Sequence, residues 1–254
     1  GTQLGEGPTS QLGFARQTML VPIGVVAQAA GVAAYPYLSR LVEEGKLREM
    51  TVALARAVRY VVVASLVATA TLVALSIPTI RALFERGQFG PADTVASASA
   101  LVFYALGIPF WGVQQLLARG FYARRQMWTP VLVGTATTIL AVPVYIIFKE
   151  LLDIRGIALA STVSIAGYTV VLGAIWIDRT GTHVLAGLAQ TVGRALVPAV
   201  IAGGAAWLIA YAVADIATGF PGAVLQVVAG GLAAGAVFLG LAGWMGTMKS
   251  VQDD

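Results

Sequence analysis

An all-α, polytopic membrane helix bundle is the fold class this sequence predicts, and three observations carry it. Hydrophobic residues make up 58% of the chain and charged residues 11%, with a mean hydropathy of +0.82, where a soluble domain carries about 25% charged residues. Seven runs of at least 20 residues hold no Asp, Glu, Lys or Arg: 17–39, 60–80, 94–118, 126–148, 156–177, 195–214 and 216–248. Each can cross a hydrocarbon core of about 30 Å as a helix, which takes roughly 20 residues. None alternates apolar and polar residues as the strands of a membrane barrel do.

Helix one, Leu12–Leu38, is the least lipid-like span. It carries Arg16, Gln17 and Gln28, and Pro22 and Pro36 interrupt it. Gly24, Ala27, Gly31 and Ala34 repeat at three- and four-residue spacing, which lets another backbone approach. A polar, proline-kinked face is costly in lipid, so this helix is expected in a bundle interior or a cavity wall. The connection 40–59 mixes Arg40, Lys46, Arg48, Arg56 and Arg59 with Glu43, Glu44 and Glu49 and is expected to be a cytoplasmic amphipathic segment.

Helix two, Tyr60–Ile80, ends near Pro78, just before Leu83-Phe-Glu-Arg-Gly-Gln-Phe89. There Gly87 suits a left-handed turn and Pro91 a first helical position. Helix three, Thr94–Ala118, is expected to kink at Gly107 and Pro109, with Gln114 and Gln115 as a polar patch. Arg119-Gly-Phe-Tyr-Ala-Arg-Arg-Gln-Met-Trp-Thr-Pro130 follows, mixing Arg and aromatics as a headgroup layer does.

Helix four runs from Pro130 past Pro143. Helix five, Gly156–Ile177, carries Ser161, Thr162, Ser164 and Thr169, whose hydroxyls are expected to bond back to their own helix. Helices six and seven read as peripheral and lipid-facing. The stripe of Gly231, Gly235, Gly240, Gly243 and Gly246 is expected to pack them together, with lining a groove as the alternative.

The composition also removes function classes. Cysteine and asparagine are absent, and His183, in a short loop, is the only histidine. Thiolate metal sites and disulfides therefore have no basis here. A His-rich metal site or a Ser-His-Asp hydrolase would have to be built on His183, which reads instead as a solvated loop residue, and neither an enzyme activity nor a cofactor is expected. The basic balance of +4 does not point to nucleic acid, because the cations sit at helix ends, as the topology rule explains.

Counted that way, one side holds Arg40, Lys46, Arg48, Arg56, Arg59, Arg119, Arg124, Arg125, Arg179, Arg194 and Lys249, eleven in all. The other holds Arg81, Arg86, Lys149 and Arg155, four. The N-terminus is then expected outside and the C-terminus in the cytoplasm. Gly1 opens the chain with no basic segment before the first apolar run, as in a piece of a longer protein.

Taken in order, VPIGVVAQAAGVAAYPYLSRL, LFERGQF, ALGIPFW and RGFYARRQMWTP resemble the MurJ (MviN) family of lipid II flippases, within a superfamily that includes drug and polysaccharide exporters. The resemblance covers nearly all of residues 8–180; the last two helices match by position and hydrophobicity. It implies that the seven spans correspond to helices eight to fourteen of a fourteen-helix flippase. Residues 1–180 would then be most of a C-terminal lobe and 181–254 two additional helices.

The function so implied is movement of lipid II, a polyprenyl-diphosphate-linked disaccharide-pentapeptide, across the bacterial cytoplasmic membrane. Its partners would be membrane lipids and a missing N-terminal lobe or partner subunit. Alternatives within the resemblance are another polyprenyl-linked glycan or a drug as cargo; a non-transporting scaffold or split-transporter subunit is the reading outside transport.

Arginines facing a water-filled cleft would neutralise the diphosphate. The family places one at the start of the eighth helix. An ungapped match on Pro22 puts Gln17 at that position and Arg16 one residue earlier, about 100° around the helix. Arg16 reads either as a lipid-phosphate ligand or as a snorkelling interface residue. Arg16, Gln17, Gln28 and Gln114 are the substrate-binding candidates. A sodium site described for some members needs asparagine and acidic residues that this chain lacks in helix four, so no metal site is expected.

Overall fold

The computed structural model describes residues 6–181 and 187–244, and every regular element among them is helical. In order these are α1 (Glu6–Ile23), a π-helical turn (Gly24–Gln28), α2 (Ala29–Glu43), α3 (Leu47–Ala74), α4 (Ser76–Phe84), α5 (Pro91–Ala105), α6 (Ile108–Ala123), α7 (Trp128–Thr180), α8 (Leu188–Ala212) and α9 (Gly219–Trp244). His183, Gly246, Lys249 and the end of the seventh charge-free run lie outside the described residues.

Five helical stretches are long and apolar enough to cross a membrane, with α1–α2 counted as one, and the pair α5–α6, bent by 46°, supplies a sixth. The helix α7 counts twice. A straight helix of its 53 residues would be about 80 Å long. Yet Tyr168 Oη donates to the Pro130 carbonyl at 2.9 Å, and Arg179 Nη1 donates to Gln126 Oε1 and Thr129 Oγ1 at 3.0 Å. The two halves therefore lie antiparallel, and the chain reverses at Asp153, whose φ of 49° and ψ of −124° are not helical. The described residues thus supply seven crossings, as the charge-free runs predict.

The 40–59 segment is amphipathic, as expected, but it is not a connection separate from the spans it joins. Only Glu44–Lys46 is a turn; Leu47–Arg59 is the opening of α3. Charges interrupt a hydropathy run without interrupting a helix, because Arg and Glu are good helix formers. Met50, Leu54, Ala55 and Val58 give this charged stretch a buried stripe. As a result α3 becomes the central post of the bundle, with α2, α6 and α8 around it.

At the α5–α6 break, Pro109 has no N–H for the Ala105 carbonyl, and Gly107 N turns to Tyr104 O at 2.9 Å. The orphaned carbonyls are taken up from neighbouring helices. Thr69 of α3 donates to Ala105 O at 3.0 Å, and Thr162 of α7 to Phe103 O at 2.7 Å. Thr169 shares its proton between its own helix, at Ile165 O, and Phe110 O. The hydroxyls expected to serve only their own helix thus divide: Ser164 does so, at Ala160 O, and the two threonines bridge helices.

Of the stripe singled out in helix one, Ala27 packs against Gly112 of α6 and Gly31 lies against the Arg119 side chain, while Gly24 faces open space; close helix contacts are also made by other glycines. A Cβ at Gly112 would meet Val61 at 2.5 Å, and one at Gly120 would meet Leu54 at 2.6 Å and Trp176 at 2.8 Å. In α9 it is Gly230, not Gly231 or Gly235, that touches α8, through the Ala206 carbonyl. One residue turns the contact by about 100°, so the expected stripe of Gly231, Gly235 and Gly240 faces open space.

Candidate functional site

Proline 22 cannot donate to the Thr18 carbonyl, and the π turn at Gly24–Gln28 follows it. The span keeps one face buried throughout, at Leu12, Ala15, Met19, Ile23, Ala27, Leu38 and Leu41. Its other face is open, with Leu20, Val21, Val25 and Val32 between 44 and 69% exposed. Arg16, Gln17 and Gln28 all lie on that exposed face. By helical rise Gln28 is about 18 Å from Arg16 along the axis, so the two mark different depths of one surface. Arg16 is also close enough to Tyr104 of α5 to interact with it electrostatically. Gln114 is half-buried on α6 beside the Tyr168 hydroxyl of α7 and is not part of this stripe.

One end of the bundle is closed by the LFERGQF segment. Gly87 takes φ 62°, Glu85 accepts from Thr94 Oγ1 at 2.6 Å and from Arg81 at 3.3 Å, and Asp93 accepts from Gln11 at 2.7 Å. The Phe14 ring lies 4.5 Å from Phe84 and 5.2 Å from Phe89. These contacts pin α1, at Gln11 and at Phe14 two residues before Arg16, to α4, α5 and the turn between them.

The opposite end is cationic. Arg48 and Arg59 of α3, Arg124 of the α6–α7 turn and Arg179 at the end of α7 line a cavity of about 710 Å³ with Thr51, Thr180 and Gln190. The turn aims Arg124 inward: Arg125 adopts φ 57° and Gln126 N bonds Phe121 O at 2.9 Å, closing the helix as a left-handed cap does. The Arg124 guanidinium then lies 5.6 Å from the Trp176 ring centre, and that of Arg179 5.9 Å from Phe121.

The sequence readings scattered these four arginines among helix-end anchors. One signal was available: Arg48 and Arg59 are eleven residues apart, three helical turns, and share a face. The rest depended on the α7 hairpin, which brings Arg179 back to the start of its own helix.

Residues 2–225 match the family model described as lipid II flippase MurJ. The chain is 33% identical over 159 residues to a probable lipid II flippase MurJ of Rhizobium meliloti, covering 63% of this chain and 30% of that protein. It is 34% identical over 109 residues to the lipid II flippase MurJ of Thermosipho africanus, covering 43% and 22%. A solved lipid II flippase MurJ in an inward closed conformation superposes with a TM-score of 0.72 at 22% identity, over 94% of this chain and 47% of that one. The chain thus spans about a third or less of the length of these sequence relatives and about half of the solved protein. On the match across most of its length, the chain belongs to the MurJ lipid II flippase family.

Proposed function

We propose that this chain works as the C-terminal lobe of a flippase that carries lipid II across the bacterial cytoplasmic membrane by alternating access, with no covalent chemistry. The observation that carries the reading is the open face of α1–α2. A membrane helix that exposes an arginine and two glutamines is poorly placed against lipid. Membership of the family suggests what it faces: a cavity shared with an N-terminal lobe or partner subunit.

A diphosphate cannot cross hydrocarbon unaided, whereas a guanidinium in a water-filled cleft can fork-bond it. Arg16 supplies that group, Gln17 and Gln28 line the path at two depths, and Gln114 lies behind them on α6. The α5–α6 bend, held from both sides by threonines, and the π turn below Pro22 are the places where one lobe can rock.

The orientation we infer is N-terminus outside and C-terminus cytoplasmic. It is supported by the gathering of Arg48, Arg59, Arg124 and Arg179 at the end opposite Gln11, Glu85 and Asp93. Residues 1–180 are assigned to the lobe and 181–254 to two accessory helices. A separate small cluster, with Val63 and Leu75 facing Ala202, Ala206 and Phe238, is consistent with that division.

The test is growth of cells depleted of their own flippase and carrying the gene that contains this segment. Restored growth is expected, with Arg16→Ala and Gln17→Ala together abolishing it at unchanged protein level. A well-expressed gene that fails to restore growth sinks the lipid II assignment; full growth of the double variant removes the role of the α1 face.

A further inference from the structure

The four-arginine cavity is lined by none of Arg16, Gln17, Gln28 and Gln114, and the proposed transport path does not use it. Among the described residues its lining holds no Asp or Glu. Nor, among the described residues, does any carboxylate stand within ion-pair distance of Arg48, Arg124 or Arg179; Glu44, on the neighbouring turn, pairs with Arg40 and Lys46 instead.

Arg124 Nη1 is shut away from solvent and has no hydrogen-bond partner among the described residues. A buried, unpartnered guanidinium nitrogen costs free energy unless something accepts from it. Arg179 has Nη1 held by Gln126 and Thr129, which fixes the side chain while leaving its other nitrogens for a ligand. The two guanidinium planes rest on Trp176 and Phe121, and these rings meet edge to face at 4.9 Å inside the core. The cations are therefore pre-positioned, which lowers the ordering cost of binding.

We propose that this cavity is a phosphate-binding site, in which Arg124 and Arg179 fork-bond the oxygens of a phosphate ester with Arg48 at its mouth. The preference for phosphate over a lone carboxylate follows from chemistry and size. Several convergent guanidinium groups match a tetrahedral, multiply charged anion, and about 710 Å³ holds a substituted phosphate rather than a bare ion. The phosphate can come from an anionic phospholipid headgroup entering from the bilayer surface or from a soluble phosphate ester.

Two arms separate these sources. In the first, the full chain is purified, exchanged into nanodiscs of phosphatidylcholine with and without phosphatidylglycerol, and the retained phosphatidylglycerol is counted by native mass spectrometry. In the second, the detergent-solubilised, delipidated chain is titrated with inorganic pyrophosphate by calorimetry. Saturable binding in at least one arm is expected, weakened about tenfold by Arg124→Gln and by Arg179→Gln and by raising salt. Arg56→Gln removes the same charge outside this cavity and is expected to leave binding unchanged. Thermal melting of each variant checks folding.

Retention of phosphatidylglycerol without pyrophosphate binding assigns the lipid source; pyrophosphate binding assigns the soluble one. Absence of binding by the unaltered chain in both arms overturns the proposal, as does an Arg56→Gln loss equal to that of Arg124→Gln. None of these readouts involves transport, so failure here leaves the flippase reading standing.

Discussion

Thr162 Oγ1 donates a 2.7 Å hydrogen bond to the carbonyl of Phe103, 59 residues away on another helix. That carbonyl is orphaned because Gly107 N turns to Tyr104 at the α5–α6 break, so the bond ties the bend of one crossing to the wall of the next. Thr162→Val leaves the carbonyl unpaired in a membrane interior and is expected to cost about 1 kcal/mol. Thr162→Ser, which keeps the donor, is expected to recover most of it. Reversible unfolding in mixed micelles measures both, and equal stability of valine and serine variants would show that the hydroxyl is not the acting group.

Gly120 of α6 has Leu54 and Trp176 where a Cβ would sit. Trp176 is fully buried against Phe121 and has no room to retreat. Gly120→Val is expected to destabilise the bundle by about 2 kcal/mol or more through overpacking. The same change at Gly231, which has open space around it, is expected to cost less than about 0.5 kcal/mol. Parallel melting of the two variants checks the contrast.

The Trp176 indole nitrogen is buried and has no hydrogen-bond partner among the described residues, although its ring is wholly inside the core. What matters at this position is therefore volume and an aromatic face for Arg124. Trp176→Phe is expected to be mild, about 1 kcal/mol, and Trp176→Ala severe, about 3–5 kcal/mol. A phenylalanine variant as unstable as alanine would mean that the indole N–H contributes.

Asp153 holds φ 49° at the reversal of α7. This backbone state is costly for a residue with a Cβ and free for glycine. Asp153→Gly is expected to raise stability by about 1 kcal/mol, read as a higher melting temperature. A lower one would mean that the carboxylate, rather than the turn geometry, selects aspartate there.

In the turn before α3, the hydrogen bond from Lys46 Nζ, 2.8 Å long, holds the exposed Glu44 carboxyl below its ordinary range, helped by the Lys46 and Arg40 charges. A carboxyl lowered in the folded state contributes stability that is present above its unfolded pKa and lost as pH falls through the folded value. Lys46→Gln is expected to move the Glu44 midpoint back up, as followed by carboxyl-carbon NMR; an unmoved midpoint would assign the shift to Arg40.

Much of the fold was legible because a bilayer imposes simple conditions. The seven crossings, the kink at Pro109 and the left-handed turn at Gly87 each follow from local chemistry: an apolar run of sufficient length, a missing N–H, a missing Cβ. The continuity of the amphipathic 47–59 stretch with the span after it was not legible, because hydropathy runs stop at Arg56 and Arg59 while helical hydrogen bonding does not. At the candidate site, Arg16, Gln17 and Gln28 could be picked out as polar groups in an apolar span, but their common open face depended on which side of α1–α2 the other helices cover.

The sequence alone determined the all-helical membrane class, the number of crossings, the asymmetric distribution of cations and the likeness to one family, because these depend on residue type and order along the chain. Only the tertiary structure decided that α7 folds back at Asp153, that the glycine meeting α8 is Gly230, that threonines of two neighbours hold the α5–α6 bend, and that Arg48, Arg59, Arg124 and Arg179 converge on one cavity. Those outcomes depend on rotation about helix axes and on pairing between distant segments. A one-residue change of phase there redirects a side chain by about 100° with no trace in the hydropathy pattern.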